Sequence, residues 1–364
     1  MIGEKMNVTI VGCGNVGTQI AVHAASKNHA VTVFTNRFKE VSKELFIVDN
    51  TDKILLSGKI ACATDNAETA FKDADLIFVT VPSFYMKKQA EIIVPHLKKG
   101  CVICLVPGSG GGEFAFKEAL NKGCVLCGLQ RVPSVARLKE YGKSVCATGY
   151  RDKLFVASLP TNQKENCAKL IGSIFDMPCD AMPHYLNLTL TPSNPILHTT
   201  RLKTIFKDYK EGVFYKSLPL FYQEWDDESS LLLLKCDKEV QDICLALKDF
   251  DLSFVKSLKE HYESPDAQAL TKKITSIPAF FGLKTPCIET KNGLLPDFDS
   301  RYFTADFMFG LTILIQIAEF LKTDCSYMLE TFNWFLPFFK GGPQFYFKDY
   351  GICSKKDFLE FYNK

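Results

Sequence analysis

An excess of charge of either sign is missing from this sequence: forty-three Lys and Arg against forty-one Asp and Glu leave a formal net charge of +2 over 364 residues. Such a balance offers no electrostatic footprint for a nucleic acid. A bilayer-spanning apolar run is missing too. The longest candidate, Phe307 to Ile317, is interrupted by Gly310, Thr312 and Gln316 and reads as a core helix. Met1 to Met6 lacks the apolar centre of a secretory signal, and no internal repeat or low-complexity tract occurs. The expectation is a soluble, cytoplasmic protein without membrane or nucleic-acid partners, long enough for two domains. No heptad pattern or interface signature decides the oligomeric state, so a homodimer stays open.

Cysteine is not scarce, at fourteen residues, yet neither disulfides nor a metal are expected. Cys101-x-x-Cys104 and Cys124-x-x-Cys127 formally match a zinc-ribbon spacing. Both pairs lie in apolar runs that read as buried strands, C-V-I-C-L-V and C-V-L-C-G-L, where residues i and i+3 point to opposite faces. They read as small buried hydrophobes in a reducing compartment.

What is present is organised around Asn7 to Gly17, N-V-T-I-V-G-C-G-N-V-G. A β-branched run meets Gly12, Gly14 and Gly17 in G-x-G-x-x-G spacing, with a helix expected over Thr18 to Ser26 and a second strand over Val31 to Phe34. This β-α-β context reads as a dinucleotide site: Gly12 permits the tight turn, Gly14 lets the backbone approach a pyrophosphate, and Gly17 lets helix and strand pack closely. Free N–H groups at the helix start, from Asn15 and Val16 onward, would hold the diphosphate. Beyond the second strand come Thr35, Asn36 and Arg37, with no carboxylate to accept from a ribose 2′-hydroxyl. Thr35 and Asn36 can donate hydrogen bonds and Arg37 can pair with a 2′-phosphate, unless it is merely a solvated charge. NADP(H) is therefore expected in preference to NAD(H), which stays possible.

From Lys39 to Thr64 the signal is weak, with a helix and a short strand near Lys59 to Ala63 expected. The run Asp75 to Pro82, D-L-I-F-V-T-V-P, has the continuous apolar character of a central parallel strand. Val81, Pro82 and Ser83 then stand at its carboxyl end, where ligands bind in open α/β sheets. A further strand, Cys101 to Val106, runs into Pro107-Gly108-Ser109-Gly110-Gly111-Gly112, a loop for ligand approach or simple turn flexibility. Strands at Cys124 to Leu129, Ser144 to Thr148 and Leu154 to Ala157 are expected to continue the sheet, and a helix over Gln163 to Phe175 to close it. Pro178 and Pro183 bracket an irregular link. The fold class is thus an α/β Rossmann domain, doubly wound with a mostly parallel sheet, over residues 1–182, followed by a mainly helical substrate domain over 183–364, with the substrate cleft between them. Expected helices there are Asn187 to Lys203, Lys238 to Leu247, Ser253 to Tyr262 and Ala305 to Lys322.

Two stretches of the second half concentrate polar groups. Thr191 to Arg201, T-P-S-N-P-I-L-H-T-T-R, puts His198 on a helix starting after Pro195, with Asn194 placed to cap it. Ser300 to Gly310, S-R-Y-F-T-A-D-F-M-F-G, sets Arg301 and Asp306 before the long apolar helix, which Thr304 or Asp306 could cap. Between them, Phe206 to Trp225 carries seven aromatics and is either a lid or wall beside the substrate or a satellite core.

At these stretches the chain resembles the opine dehydrogenases, the octopine/nopaline dehydrogenase family. The likeness rests on Asn194-Pro195-x-x-His198, on Arg301-Tyr302-Phe303-Thr304-x-Asp306 with Gly310-Leu311, more loosely on Phe221-Tyr222-Gln223-Glu224, and on the Val106-Pro107-Gly108 loop. It implies reductive condensation of an amino acid's amine with a 2-oxo acid such as pyruvate, using NAD(P)H to reduce the C=N bond. Carried over by position, His198 is the acid/base, Asp306 its orienting partner and Arg301 a carboxylate clamp, with Asn194 also placed at the substrate and no metal required. Ala305, Phe307-Met308 and Thr199 depart from the family's usual surroundings of the dyad, which bears on the substrate more than on the chemistry. The chain also resembles ketopantoate reductases and glycerol-3-phosphate dehydrogenases at Gly12 to Gly17 and Asp75 to Ser83. Those families use a catalytic lysine, for which Lys203 is the one candidate on the equivalent helix. A non-catalytic NADP(H)-binding regulator is the third reading.

Overall fold

The computed structural model describes residues 5–191 and 193–363. The chain falls into two compact units, Met1–Thr189 with Leu359–Lys364, and Leu190–Phe358.

In the first unit the strands are β1 (Asn7–Val11), β2 (Ala30–Phe34), β3 (Glu44–Val48), β4 (Ile54–Lys59), β5 (Cys62–Thr64), β6 (Leu76–Val79), β7 (Val102–Leu105), β8 (Val125–Leu129), β9 (Val135–Glu140), β10 (Ser144–Thr148), β11 (Leu154–Leu159) and β12 (Cys179–Ala181). Eight of them form one sheet in the order β12-β11-β8-β7-β6-β1-β2-β5. From β5 across to β8 every pairing is parallel, β11 runs antiparallel to β8, and β12 is again parallel. All four residues of β6, L-I-F-V, are buried, as are those of β7, which is what a strand covered on both faces requires. Chain order reverses at β1, whose neighbours are β2 and β6. This switch point is where an open α/β sheet binds ligands, so the loops after β1 and β6 share the functional edge.

The remaining four strands depart from expectation. Lys39 to Thr64 contains no helix beyond a short turn at Phe38–Glu40. It folds instead as the β3/β4 hairpin, whose turn is fixed by the Asp49 carboxylate accepting from the backbone N–H groups of Thr51 and Lys53. Local side-chain chemistry at a turn thus outweighed a weak helical period. Residues 144–148 do not continue the main sheet. They form β10 of a second sheet, ordered β4-β3-β10-β9, that lies against the first helix, Asn15–Ser26. Gly58 of β4 marks the contact, since a Cβ there would sit 2.6 Å from the Ala25 Cβ. The link expected to be irregular between Pro178 and Pro183 carries β12, an edge strand.

The second unit is built on helices. Ser193–Phe206, Asp227–Ala246 and Ser326–Phe335 surround a continuous segment from Arg301 to Leu321. That segment is long and apolar enough to cross a membrane by length and composition, and most of it is buried in the unit. Helix starts follow local chemistry: Asp226 accepts from the Ser229 N–H, Asp266 from Ala269, and Ser257 with Glu260 forms a capping box. The helix expected over Asn187 to Lys203 is two pieces, Leu186–Thr189 and Ser193–Phe206. That expected over Ser253 to Tyr262 is only Leu258–His261. Phe206, Phe221, Tyr222 and Trp225 are buried while Val213 and Phe214 are exposed, so the aromatic stretch is largely core.

Candidate active site

The loop after β1 has the geometry of a diphosphate cradle. Gly12 sits at φ +96°, in the left-handed region. A Cβ on Gly17 would lie 2.0 Å from the Gly12 carbonyl oxygen, whereas a Cβ on Gly14 would meet nothing within 4 Å. The third glycine is thus required by packing, and the space over the second is open. No side chain caps the Asn15–Ser26 helix and no acid stands in its first turn, which leaves its N-terminal N–H groups to an anion. Val16 and Gly17 belong to that first turn, while the Asn15 side chain is spent on structure, its Oδ1 accepting from the Leu138 N–H at 2.8 Å. Thr80, preceding Val81, Pro82 and Ser83, donates to the Val11 carbonyl at 2.8 Å and joins the two loops of the switch point. Ser83 in turn lies against Gly110, where a Cβ would be 2.3 Å from its Oγ. The residues present fit a nicotinamide dinucleotide.

Past β2, Thr35 Oγ1 is 2.9 Å from the Tyr141 hydroxyl, and the Arg37 guanidinium lies 3.6 Å from the centre of the Tyr141 ring. Asn36 is exposed. The guanidinium is also held by both carboxylate oxygens of Glu40. No acid stands at the expected position, but one three residues further on takes up the cation.

A second polar centre lies within the helical unit. His198 Nδ1 is 2.7 Å from Asp306 Oδ2, and His198 Nε2 is 2.7 Å from the Tyr222 hydroxyl. The imidazole is nearly buried, the carboxylate 18% exposed. With Asp306 ionised, Nδ1 carries the proton and Nε2 of the neutral ring accepts from Tyr222. Two features of the backbone bring acid and base together. Asp306–Leu311 is a π-helical turn, with the Gly310 N–H reaching back five residues to the Ala305 carbonyl. Such turns often mark functional sites. Gly310 then lets the turn meet the start of the His198 helix, since a Cβ there would be 2.8 Å from Pro195 Cγ. Asp306 and Thr304 cap nothing; the Asp306 carboxylate is turned to the histidine and Thr304 Oγ1 donates to the Ser300 carbonyl.

The other expected residues lie nearby with different degrees of commitment. Arg301 is exposed and forms no ion pair among the described residues, so its fork is available. The helix begins at Ser193 rather than after Pro195, which places exposed Asn194 inside the first turn and removes it from the capping position. Pro195 is tolerated because first-turn N–H groups have no intrahelical acceptor. Lys203 is paired with Glu330 at 2.7 Å and makes no bond to the dyad.

Three contributors were not foreseen. Arg201, 1% exposed, donates from Nε to the Phe221 carbonyl and from Nη2 to the Glu224 carbonyl, and pairs with Asp226 at 2.8 Å. One turn from His198, it pins the strap that carries Tyr222. Tyr302 packs its ring 4.4 Å from the imidazole. Tyr222 itself lies in the Phe221–Glu224 match, which was the available signal; Arg201 had none.

The helical half, residues 181–337, matches the family described as NAD/NADP octopine/nopaline dehydrogenase, alpha-helical domain. Residues 8–154 match the ketopantoate reductase PanE/ApbA family. The tauropine dehydrogenase of Arabella iricolor is 28% identical over 347 residues, covering 86% of each chain. The opine dehydrogenase of Haliotis discus hannai is 26% identical over 366 residues, covering 91% of this chain and 89% of that protein. A solved octopine dehydrogenase with NADH and L-arginine superposes with a TM-score of 0.85 at 21% identity over 98% of both chains, a likeness of fold. Over nearly its whole length the chain is thus similar to the opine dehydrogenases, with the family's helical domain matched in its second half, and it is an NAD(P)-dependent oxidoreductase acting on CH–NH bonds.

Proposed function

We propose that the protein condenses the amine of an amino acid with a 2-oxo acid and reduces the resulting imine, with His198 as acid/base, Asp306 as its orienting partner and Arg301 as the clamp on a substrate carboxylate. The observation that carries this reading is the 2.7 Å contact of His198 Nδ1 with Asp306, five residues beyond an uncommitted arginine. A carboxylate on one ring nitrogen fixes the tautomer and stabilises the imidazolium, so the opposite nitrogen can exchange a proton near neutral pH. Arg301 can grip a carboxylate with two parallel hydrogen bonds and fix the carbon to be reduced. When bound, the reduced nicotinamide supplies the hydride that converts C=N to CH–NH.

For the nucleotide the reading is NADP(H) before NAD(H). The Arg37–Glu40 pair is exposed and weakly held against solvent, whereas a 2′-phosphate offers the guanidinium fork a more highly charged acceptor than a single carboxylate. On that difference in charge the guanidinium turns from Glu40 to the phosphate. The ion pair of Lys203 with Glu330 speaks against the lysine-dependent ketone reductase.

The test is His198→Ala. Turnover with pyruvate and an amino-acid pool falls by about 10²-fold or more while nucleotide binding, followed by fluorescence, is unchanged. Turnover within a few-fold of the parent enzyme would sink the assignment.

A further inference from the structure

We propose that Tyr222 is a catalytic relay: its hydroxyl carries the proton between His198 Nε2 and the substrate. The inference rests on His198 being the acid/base. With Nδ1 committed to Asp306, Nε2 is the nitrogen left for proton exchange, and the Tyr222 hydroxyl stands on it at 2.7 Å.

The phenol is held in place. Its ring stacks on Phe280 with centroids 4.1 Å apart and lies parallel to Trp225, and the Arg201 guanidinium binds the carbonyls of Phe221 and Glu224 on either side of it. Gln223 adds a third tie through its Oε1, which accepts from the Gly282 N–H at 2.6 Å. A side chain gripped in this way does not swing aside to bare the imidazole. Burial holds the Tyr222 hydroxyl well above the ordinary phenol range, so it stays protonated and neutral. Tyr302, half-buried and adjoining exposed Arg301, packs its ring 4.4 Å from the imidazole, so the His198–Tyr222 pair lies on the side of the unit that carries the clamp.

The hydrogens then move in one order. While His198 is neutral, Tyr222 donates its O–H to Nε2. When the amine attacks the carbonyl carbon, the new C–N bond leaves a surplus proton on nitrogen. That proton passes to the phenol oxygen as the phenol proton passes to Nε2, giving imidazolium. Nε2–H then donates to the phenol oxygen and the phenol O–H protonates the alkoxide, giving the neutral carbinolamine. In the second half the same chain takes the remaining N–H proton and delivers it to the carbinolamine hydroxyl as the C–O bond breaks, so water leaves and C=N forms. Tyr222 ends each transfer as it began, and His198 is restored.

The test is Tyr222→Phe, which keeps the stacked ring and removes the hydroxyl, measured beside His198→Ala. The relay predicts that kcat falls 10- to 100-fold in Tyr222→Phe while the KM for NAD(P)H is unchanged, and that the proton inventory in H2O/D2O mixtures changes from curved, with two protons in flight, to linear. If His198→Ala is inactive and Tyr222→Phe keeps the parent kcat and inventory, the relay is wrong and the dyad stands; if His198→Ala itself turns over normally, both readings fall. Should Tyr222→Phe not fold, 3-fluorotyrosine at position 222 replaces it. Its more acidic phenol shifts the pH profile of kcat to lower pH if the proton passes through it, and an unmoved profile overturns the proposal.

Discussion

Glu113 gives a stability prediction with a defined sign. Its carboxyl is fully buried at the end of the glycine loop, with Oε1 accepting from Thr189 Oγ1 at 2.6 Å and from the Tyr362 hydroxyl at 2.9 Å, while Oε2 has no partner among the described residues. Burial is the main cause raising its pKa from 4.5 to about 7. The folded state thus keeps its proton to higher pH than the unfolded chain. The stability this provides is fully present below about pH 4.5, is lost as pH climbs to about 7, and does not change further above that. Between pH 5 and pH 8 the two pKa values give a loss of about 2–3 kcal/mol. Buried His23, lowered to about 4 chiefly by desolvation, works the other way by weakening the fold as pH falls below 6.5, so the parent protein alone does not isolate the effect. Glu113→Gln does, because the amide mimics the protonated acid and cannot titrate. Denaturant and thermal melts of parent and variant at pH 5 and pH 8 should show the parent losing about 2–3 kcal/mol relative to the variant, roughly 5–10 °C in midpoint for a unit of this size. Equal pH dependence in both would refute a buried, titrating Glu113.

The site supports three further predictions. Asp306→Asn removes the charge facing the imidazolium; about 4 kcal/mol at an effective dielectric near 20, discounted for the partial exposure of the carboxylate, leaves a loss of kcat of about 100-fold with nucleotide affinity unchanged in steady-state kinetics. Gly310→Ala drives a methyl to 2.8 Å from Pro195 and should cost about 1–3 kcal/mol in thermal unfolding, with a fall in kcat because the π turn is pushed off the His198 helix. Arg37→Ala should raise the KM for NADPH about tenfold and leave that for NADH within twofold, since only the nucleotide with a 2′-phosphate loses a charge-assisted bond; equal effects on both nucleotides would remove Arg37 as the selecting group.

How far the sequence could be read depended on whether the signal was local. The glycine spacing after β1 and the apolar run of β6 carry their structural reason within a few residues, so the nucleotide half was legible from Asn7 onward. The β3/β4 hairpin was not, because its deciding chemistry is one carboxylate, Asp49, closing a turn inside a stretch without clear period. Nor could periodicity tell that β10 pairs with β3 rather than extending the main sheet, for pairing partners leave no mark in a strand's own pattern. His198 and Asp306 were visible as residues of a resembling pattern, but their contact depends on a π turn and on the room left by Gly310, which sequence spacing does not display. Tyr222 stood among seven aromatics between Phe206 and Trp225, marked only by the loose Phe221–Glu224 match. Its contact with His198 Nε2 and the hold of Arg201 on the adjacent carbonyls distinguish it in the fold.

The most direct measurement is the identity of the product formed from pyruvate, an amino acid and a reduced nucleotide carrying deuterium at its transferable position. Reductive condensation predicts a secondary amine whose mass is the sum of the two substrates less water, plus one deuterium on the former carbonyl carbon and one proton. It further predicts that no such product forms when either substrate is omitted. Deuterated 2-hydroxy acid, formed equally well without the amino acid, would contradict it.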